Sequence, residues 1–187
     1  MKKLNVLALI CVFSTASFTA TFAQTDSKDA KKEAKKTNDT KMDNKKIDAT
    51  YVVNASDDGM FEVQAAQLAK TNASSEKVKE LANMMATDHA KANAELKSTA
   101  AKKSITVAAK LGANNQKKFD KLTKLKGAEF DKEYADMMVT AHKNAIDLFQ
   151  KEADNGTDAD LKAWAAGKIA TLKHHLEMAQ STYDAVK

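Results

Sequence analysis

Three histidines and one glutamate occupy positions where small or apolar residues would continue the buried faces of predicted helices. His89 and His142 each lie in a series of apolar residues spaced three or four positions apart, and Glu62 lies in a similar series of small residues. His175 adjoins the series of the last helix, whereas His174 is expected to face outward or toward a seam between helices. Neutral imidazoles and a carboxylate are ligands for Zn, Cu or Fe ions. The cluster is therefore a candidate site for a single transition-metal ion.

The same side chains have a second interpretation, as a hydrogen-bonded network that fixes the register of the helices. Asp88, Asp131 and Tyr134 are candidates to orient the imidazoles, and in the network Asp88 and Asp131 would be the partners of His142 or His89. The Glu-x-x-His motifs of di-iron bundles are missing, as are a Ser nucleophile motif and a Gly-rich phosphate loop. The sequence favours a non-enzymatic binding or stress-related protein, with a metal-binding or redox protein as the alternative.

Four long helices and one short helix are predicted to position these side chains. The chain has no Pro and only 5 Gly, and its abundant Ala, Lys, Leu and Met favour helices over strands. The predicted helices cover about residues 48–71, 75–102, 116–126, 127–154 and 157–187. The expected fold is an all-α four-helix bundle with a short extra helix in the crossover between the second and third long helices. The candidate ligands then lie within roughly 5–10 Å of a common level along the bundle.

Local signals predict two of the helix starts and leave one helix orientation open. Ser74 or Ser75 is expected to cap the second long helix, and Thr157 with Asp160 forms a capping-box-like start to the last. In the first long helix, a slight rotation would turn Val63 inward in place of the glutamate. Two orientations of that helix are therefore compatible with its pattern.

The N-terminus has the pattern of a secretory signal peptide. Two lysines precede a short apolar run, and small residues surround a Thr-Phe-Ala tripeptide. We expect cleavage after Ala23, which makes residues 1–23 a signal peptide and the mature protein a periplasmic or outer-membrane-associated one. The single cysteine, Cys11, falls in the removed segment, so the mature chain has no thiol. A lipoprotein signal at Cys11 is the alternative, and bulky Ile10 disfavours it.

Residues 24–47 are predicted to form a disordered Lys-rich linker, and residues 48–187 the bundle domain. The linker contains almost no apolar side chains, so it cannot offset the entropy of ordering. It is either a solvated spacer or a weak contact for anionic lipid or another envelope polymer. From residue 48 onward twenty Lys balance twenty acidic residues, and the chain has no Arg, so nucleic acid is not an expected partner. The sequence identifies no protein partner.

Four stretches together resemble the domain-of-unknown-function family 4142: GMFEVQAAQLA, VKELANMMATDHAKANAEL, FDKEYADMMVTAHKNAIDLF and LKHHLEMA. Members of this family are exported bacterial proteins, often labelled as membrane or outer-membrane proteins, with a ferritin-like four-helix fold. The resemblance covers residues 48–186 and implies a family pattern at Glu62, Asp88, His89, Asp131, Tyr134, His142 and His175. The family often has Pro shortly before the final motif, where this chain has Ala170, so the angle of the last histidine stays open. The resemblance implies no activity.

Overall fold

The computed structural model describes residues 27–41 and 46–187, and in these ranges it is helical with no strand. The six helices are α1 (Ser27–Lys41), α2 (Lys46–Asn72), α3 (Glu76–Lys102), α4 (Ala113–Leu122), α5 (Gly127–Asn155) and α6 (Ala159–Val186). The all-α prediction is confirmed, as is a short helix in the crossover, although α4 begins and ends before its predicted bounds. Within the described ranges, none of the helices has the length and apolar character needed to cross a bilayer.

The four long helices α2, α3, α5 and α6 pack as a bundle of two hairpins. The α5–α6 and α2–α3 pairs have the most extensive contacts, and the hairpins meet mainly where α2 contacts α5 and α3 contacts α6. The buried apolar side chains form two main clusters, one containing Met85 and Met138, the other containing Leu96 and Phe149. Along α3 and along α5, the candidate histidine lies between the residue that belongs to the first cluster and the residue that belongs to the second. They therefore form a polar layer between two apolar clusters.

The start of α3 is capped by a carboxylate from another helix. The predicted N-cap, Ser75, precedes the helix in an extended conformation, but its own side chain makes no capping hydrogen bond. Instead, the backbone N–H groups of Ser74 and Ser75 donate to the carboxylate of Asp131 on α5, at 3.1 and 2.9 Å. Asp131 thus satisfies helix-end donors and contacts none of the histidines, contrary to its predicted orienting role.

The start of α6 differs from the prediction in the residue that caps it. Asp158 Oδ1 accepts from the backbone N–H groups of Asp160 and Leu161 at 3.1 and 3.2 Å, so the expected capping role of Thr157 was wrong. Thr157 instead donates its backbone N–H to Asp48 Oδ1 on α2, at 2.7 Å. The hairpin loop before α6 is therefore tied to the start of α2.

Helix α1 lies in the segment predicted to be a disordered linker, and this part of the prediction is corrected. Lys31 Nζ lies 2.6 Å from the buried Asp57 carboxylate of α2. Asn38 makes two hydrogen bonds with the backbone of Thr106, each 2.9 Å long, and Ala34 is buried. Composition alone concealed these contacts, because polar anchors replace the missing apolar surface and Ala, Lys and Glu are strong helix formers. The predicted signal peptide lies outside the described residues.

Candidate metal centre

Three imidazole rings from three helices meet in the polar layer of the bundle. The centroid of the His89 ring lies 5.3 Å from those of His142 and His175, and the latter two are 5.4 Å apart. The three residues are 8%, 0% and 2% exposed. One ring nitrogen from each lies within 4.8 Å of one from each of the others. His174, in contrast, is exposed as predicted.

Each imidazole is held by an oxygen acceptor on one of its two ring nitrogens. The contacts are His89 Nδ1 to Glu62 Oε2 at 2.9 Å, His142 Nδ1 to the Met138 carbonyl at 2.9 Å, and His175 Nε2 to Asp88 Oδ2 at 3.1 Å. Because these oxygens accept, the nitrogen that faces each one carries the hydrogen. The other three nitrogens, Nε2 of His89, Nε2 of His142 and Nδ1 of His175, are buried without a hydrogen-bond partner.

Glu62 is buried behind the ring of His89. It is 3% exposed whereas Val63 is half-buried, so the helix has the orientation that places the glutamate inward. Its Oε2 contacts Nδ1 of His89, and its Oε1 lies 3.8 Å from Nδ1 of His142. Both contacts are to the nitrogens that carry hydrogen, and the group of convergent ligand atoms consists of the three histidines. Glu62 thus holds the ring of His89, and its role as a fourth metal ligand stays a prediction.

The predicted orienting residues have different partners from those expected. Asp88 bonds to His175, not to His89 or His142, because it faces α6 across the bundle. Tyr134 is fully buried among apolar side chains, and its hydroxyl has no hydrogen-bond partner. Burial, and then the charge of Glu62, raise the pKa of Tyr134, so its hydroxyl stays protonated.

The surroundings of the cluster favour one charge pair, between Glu62 and His89, and two neutral rings. Burial opposes ionisation of Glu62 and His89, but their mutual attraction and hydrogen bond lower the pKa of Glu62 and raise that of His89. Burial lowers the pKa of His142. Burial and the charge of His89 lower the pKa of His175 to about 4. Two imidazoles thus present lone pairs without losing a proton.

A cavity of about 280 Å³ adjoins the cluster. Glu62, His89 and His175 line one part of it, and apolar side chains of α3, α5 and α6 form much of the remaining wall. The histidine cluster is therefore accessible from one side of the bundle, although its members are buried.

A second buried polar group, which the sequence pattern did not reveal, joins α2 to α5. Glu152 is 1% exposed and lies beside the buried Asp48. Burial, together with the charge of Asp48, raises the pKa of Glu152 to about 7. No other group donates to the carboxyl oxygens of Glu152. Protonation of Glu152 removes the repulsion between its carboxyl group and that of Asp48.

Comparison with known proteins agrees with the motifs in the sequence. The family model described as a domain of unknown function (DUF4142) matches residues 18–182, a range that contains the whole histidine cluster. No curated protein and no solved structure shows a significant match to the chain. The match spans most of the chain and includes every stretch on which the resemblance rests, so the chain belongs to the family of the domain of unknown function DUF4142.

Proposed function

We propose that the protein binds one transition-metal ion through His89, His142 and His175. Three buried ring nitrogens without hydrogen-bond partners support this function most directly. Buried polar groups rarely stay unpaired, and one cation satisfies all three nitrogens once His89 has released its second ring proton. A triangle with edges of 4.8 Å has its centre about 2.8 Å from each corner, so shifts of less than about 1 Å bring the nitrogens to zinc-ligand distance.

The groups behind the rings suit this role. Glu62, Asp88 and the Met138 carbonyl fix the ring orientations and the tautomers, as acceptors behind metal-bound histidines usually do. Three nitrogen donors fit Zn, Cu(II) or Fe(II) and leave at least one coordination position for water or another ligand. Glu62 acts here as an orienting residue.

A hydrogen-bonded network without metal is the second candidate function, in a non-enzymatic binding or stress-related protein. The contact of 2.9 Å between His89 and Glu62 favours it, because this charge pair is stable without an ion. The network leaves three buried nitrogens unpaired, at a cost of about 1–3 kcal/mol each. This cost makes metal binding the preferred function.

We extend the proposal to a ferritin-like connectivity and to export into the cell envelope. Both α3 and α5 begin in the apolar cluster that contains Met85 and Met138 and end in the cluster that contains Leu96 and Phe149. The two helices therefore run in the same direction. The crossover with α4 makes this parallel arrangement feasible, as in ferritin-like bundles. Export rests on the signal-peptide pattern of residues 1–23.

Metal uptake by the purified metal-free protein tests the proposed function. Elemental analysis after dialysis against Zn, Cu(II) or Fe(II) should find one ion per chain for at least one metal. At free metal a hundredfold above the dissociation constant, stability should rise by about 2.7 kcal/mol. His142→Ala should abolish both effects. His174→Ala, which removes an exposed histidine of α6, should retain both.

The two candidate functions give opposite results in the melting experiment. Equal melting temperatures with metal and with chelator, together with strong destabilisation by His142→Ala, would support the network and reject the metal site. A metal-dependent rise in wild type and in His174→Ala, but not in His142→Ala, would support the metal site.

A further inference from the structure

We propose that the cavity beside the histidine cluster binds a small organic acid, with an aromatic or branched aliphatic body between the apolar walls and the carboxylate directed to the metal. The role assigned to the carboxylate rests on the proposed metal site. The binding of the body rests on the cavity alone, so the two parts can be tested separately.

The walls of the cavity suit an aromatic or branched apolar group. Leu96, Phe149, Trp164 and Leu172 are among the lining residues, and the rings of Phe149 and Trp164 are 5.7 Å apart at 37°. A buried apolar cavity of about 150 Å³ accommodates benzene. A volume of about 280 Å³ therefore suits a molecule of about ten to fifteen non-hydrogen atoms.

The histidine part of the cavity suits an oxygen donor. Two of its lining residues carry a buried ring nitrogen without a partner: His89 Nε2 and His175 Nδ1. A metal held by three histidines keeps an open position for an additional ligand. Since two of the three metal ligands line the cavity, a molecule within it lies next to the metal and can supply a carboxylate oxygen.

Charges of both signs line the cavity, so the attraction of an anion depends on the bound metal and on the lysines at the opening. Lys91 lines the cavity, is exposed and makes no ion pair with a described residue. The lining carboxylates of Asp58 and Asp88 already accept hydrogen bonds, from Asn115 at 2.8 Å and from His175 at 3.1 Å. Lys168 is engaged with Glu95 at 2.7 Å. Lys91 lies close enough to Glu95 to lower the pKa of that carboxylate, but it forms no direct ion pair there and can attract a second carboxylate toward the opening.

Two optical signals separate occupation of the cavity from coordination of the metal. Trp164 is the only tryptophan, so its emission reports occupation even in metal-free protein. The visible absorption of Co(II)-loaded protein reports a new ligand on the metal. We expect 4-phenylbutyrate to change the emission saturably, to shift the Co(II) bands and to bind at least tenfold tighter when Co(II) is present. The neutral 4-phenylbutyramide should change the emission without shifting the Co(II) bands.

Variants at the cavity opening supply the matched controls. Thr171 is an exposed lining residue, so Thr171→Phe should obstruct the opening without disturbing the core and weaken 4-phenylbutyrate binding at least tenfold. Lys91→Gln should weaken binding severalfold. Lys97→Gln, at an exposed lysine of the same helix that does not line the cavity, should leave binding unchanged. Uptake of Co(II) should be the same in all three variants.

Distinct results would overturn the two parts. An unchanged Trp164 emission in wild type, or equal affinity in wild type and Thr171→Phe, would overturn binding in the cavity. An emission change with unshifted Co(II) bands would overturn coordination of the carboxylate. If Co(II) does not bind, the proposed metal site is wrong and the carboxylate has no metal to coordinate. The Trp164 emission of metal-free protein then still tests whether the cavity binds the apolar part of the acid.

Discussion

The acceptor behind each imidazole of the cluster determines how strongly that ring can donate to a metal. His89 and His175 are held by carboxylates, whereas His142 is held by a backbone carbonyl. A carboxylate partner increases the basicity of the opposite ring nitrogen, because it stabilises positive charge on the ring. In the proposed metal site, the side chains of Glu62 and Asp88 would therefore influence metal affinity from behind the rings.

Replacing the carboxylate behind His89 should weaken metal binding while leaving all three ligands in place. We predict that Glu62→Gln lowers Zn affinity about 10–100-fold, because the amide keeps the size of the side chain but loses its charge. A competitive titration against a chromophoric chelator measures the change. Glu80→Gln, at an exposed carboxylate of α3, is the control. An affinity equal to that of wild type would show that Glu62 does not support the ring.

Metal binding should release a proton near neutral pH, and the source should be His89. The pKa of His89 is raised by Glu62, whereas the pKa values of His142 and His175 are lowered, the latter to about 4. We predict release of about one proton per ion below the pKa of His89, and about a tenfold loss of affinity per pH unit there. Calorimetry in buffers of different ionisation enthalpy measures the release. Binding heats independent of the buffer would contradict it.

At the scale of the helices, buried carboxyl groups join elements that are distant in sequence. Asp48 ties the start of α2 to the loop before α6, and its charge helps to raise the pKa of Glu152 of α5. Asp57 ties α2 to α1 through Lys31 and accepts from the backbone N–H of Gly112 at 2.6 Å. Each carboxyl therefore makes the packing of helices depend on its protonation or on its partner.

The pair of Asp48 and Glu152 should make the protein less stable as pH rises. The pKa of Glu152 is about 7 in the folded protein, above its ordinary value of 4.5. Between these values the folded state holds a proton that the unfolded state has lost, so stability falls as pH increases and levels off above about 7. We predict that Glu152→Gln is more stable than wild type at pH 8, by about 1–3 kcal/mol, and similar at pH 4.

Urea unfolding across this pH range measures the effect on stability. Glu129→Gln, at an exposed carboxylate in the first turn of α5, should follow the wild-type curve at every pH. The prediction is contradicted if the stability of wild type does not fall between pH 4.5 and 7, or if the stability of Glu152→Gln falls in the same way. Either result would show that the carboxyl pair does not hold a proton.

Helix α1 should contribute to stability through Lys31. We predict that Lys31→Ala destabilises the protein by about 1–3 kcal/mol, because the buried carboxylate of Asp57 loses its charged partner but keeps the donors Gly112 and Asn115. The midpoint of urea unfolding measures the change, and Lys36→Ala, at an exposed lysine of α1, is the control. Equal midpoints for wild type and Lys31→Ala would show that α1 does not stabilise the bundle through this ion pair and would support its description as a dispensable linker.

At the scale of the whole molecule, helical periodicity predicted which faces turn inward but not which side chains meet across the interior. The stripes that contain Glu62, His89 and His142 are buried as expected, because burial follows the spacing of residues along one helix. The partners of Asp88 and Asp131 were not predictable from spacing, since they depend on the angles at which separate helices pack. For the same reason, no local pattern indicated that polar residues anchor α1.

The cluster draws equally on both hairpins, since Glu62 and His89 belong to α2 and α3, whereas His142 and His175 belong to α5 and α6. Neither half of the chain holds more than two of the three imidazoles, and two imidazoles alone would bind a metal only weakly. Tight metal binding would thus mark complete assembly of the tertiary structure. Separate fragments that divide the chain in the crossover would each lack the site and should recover it only by complementation. Metal binding would then distinguish the assembled protein from either half alone.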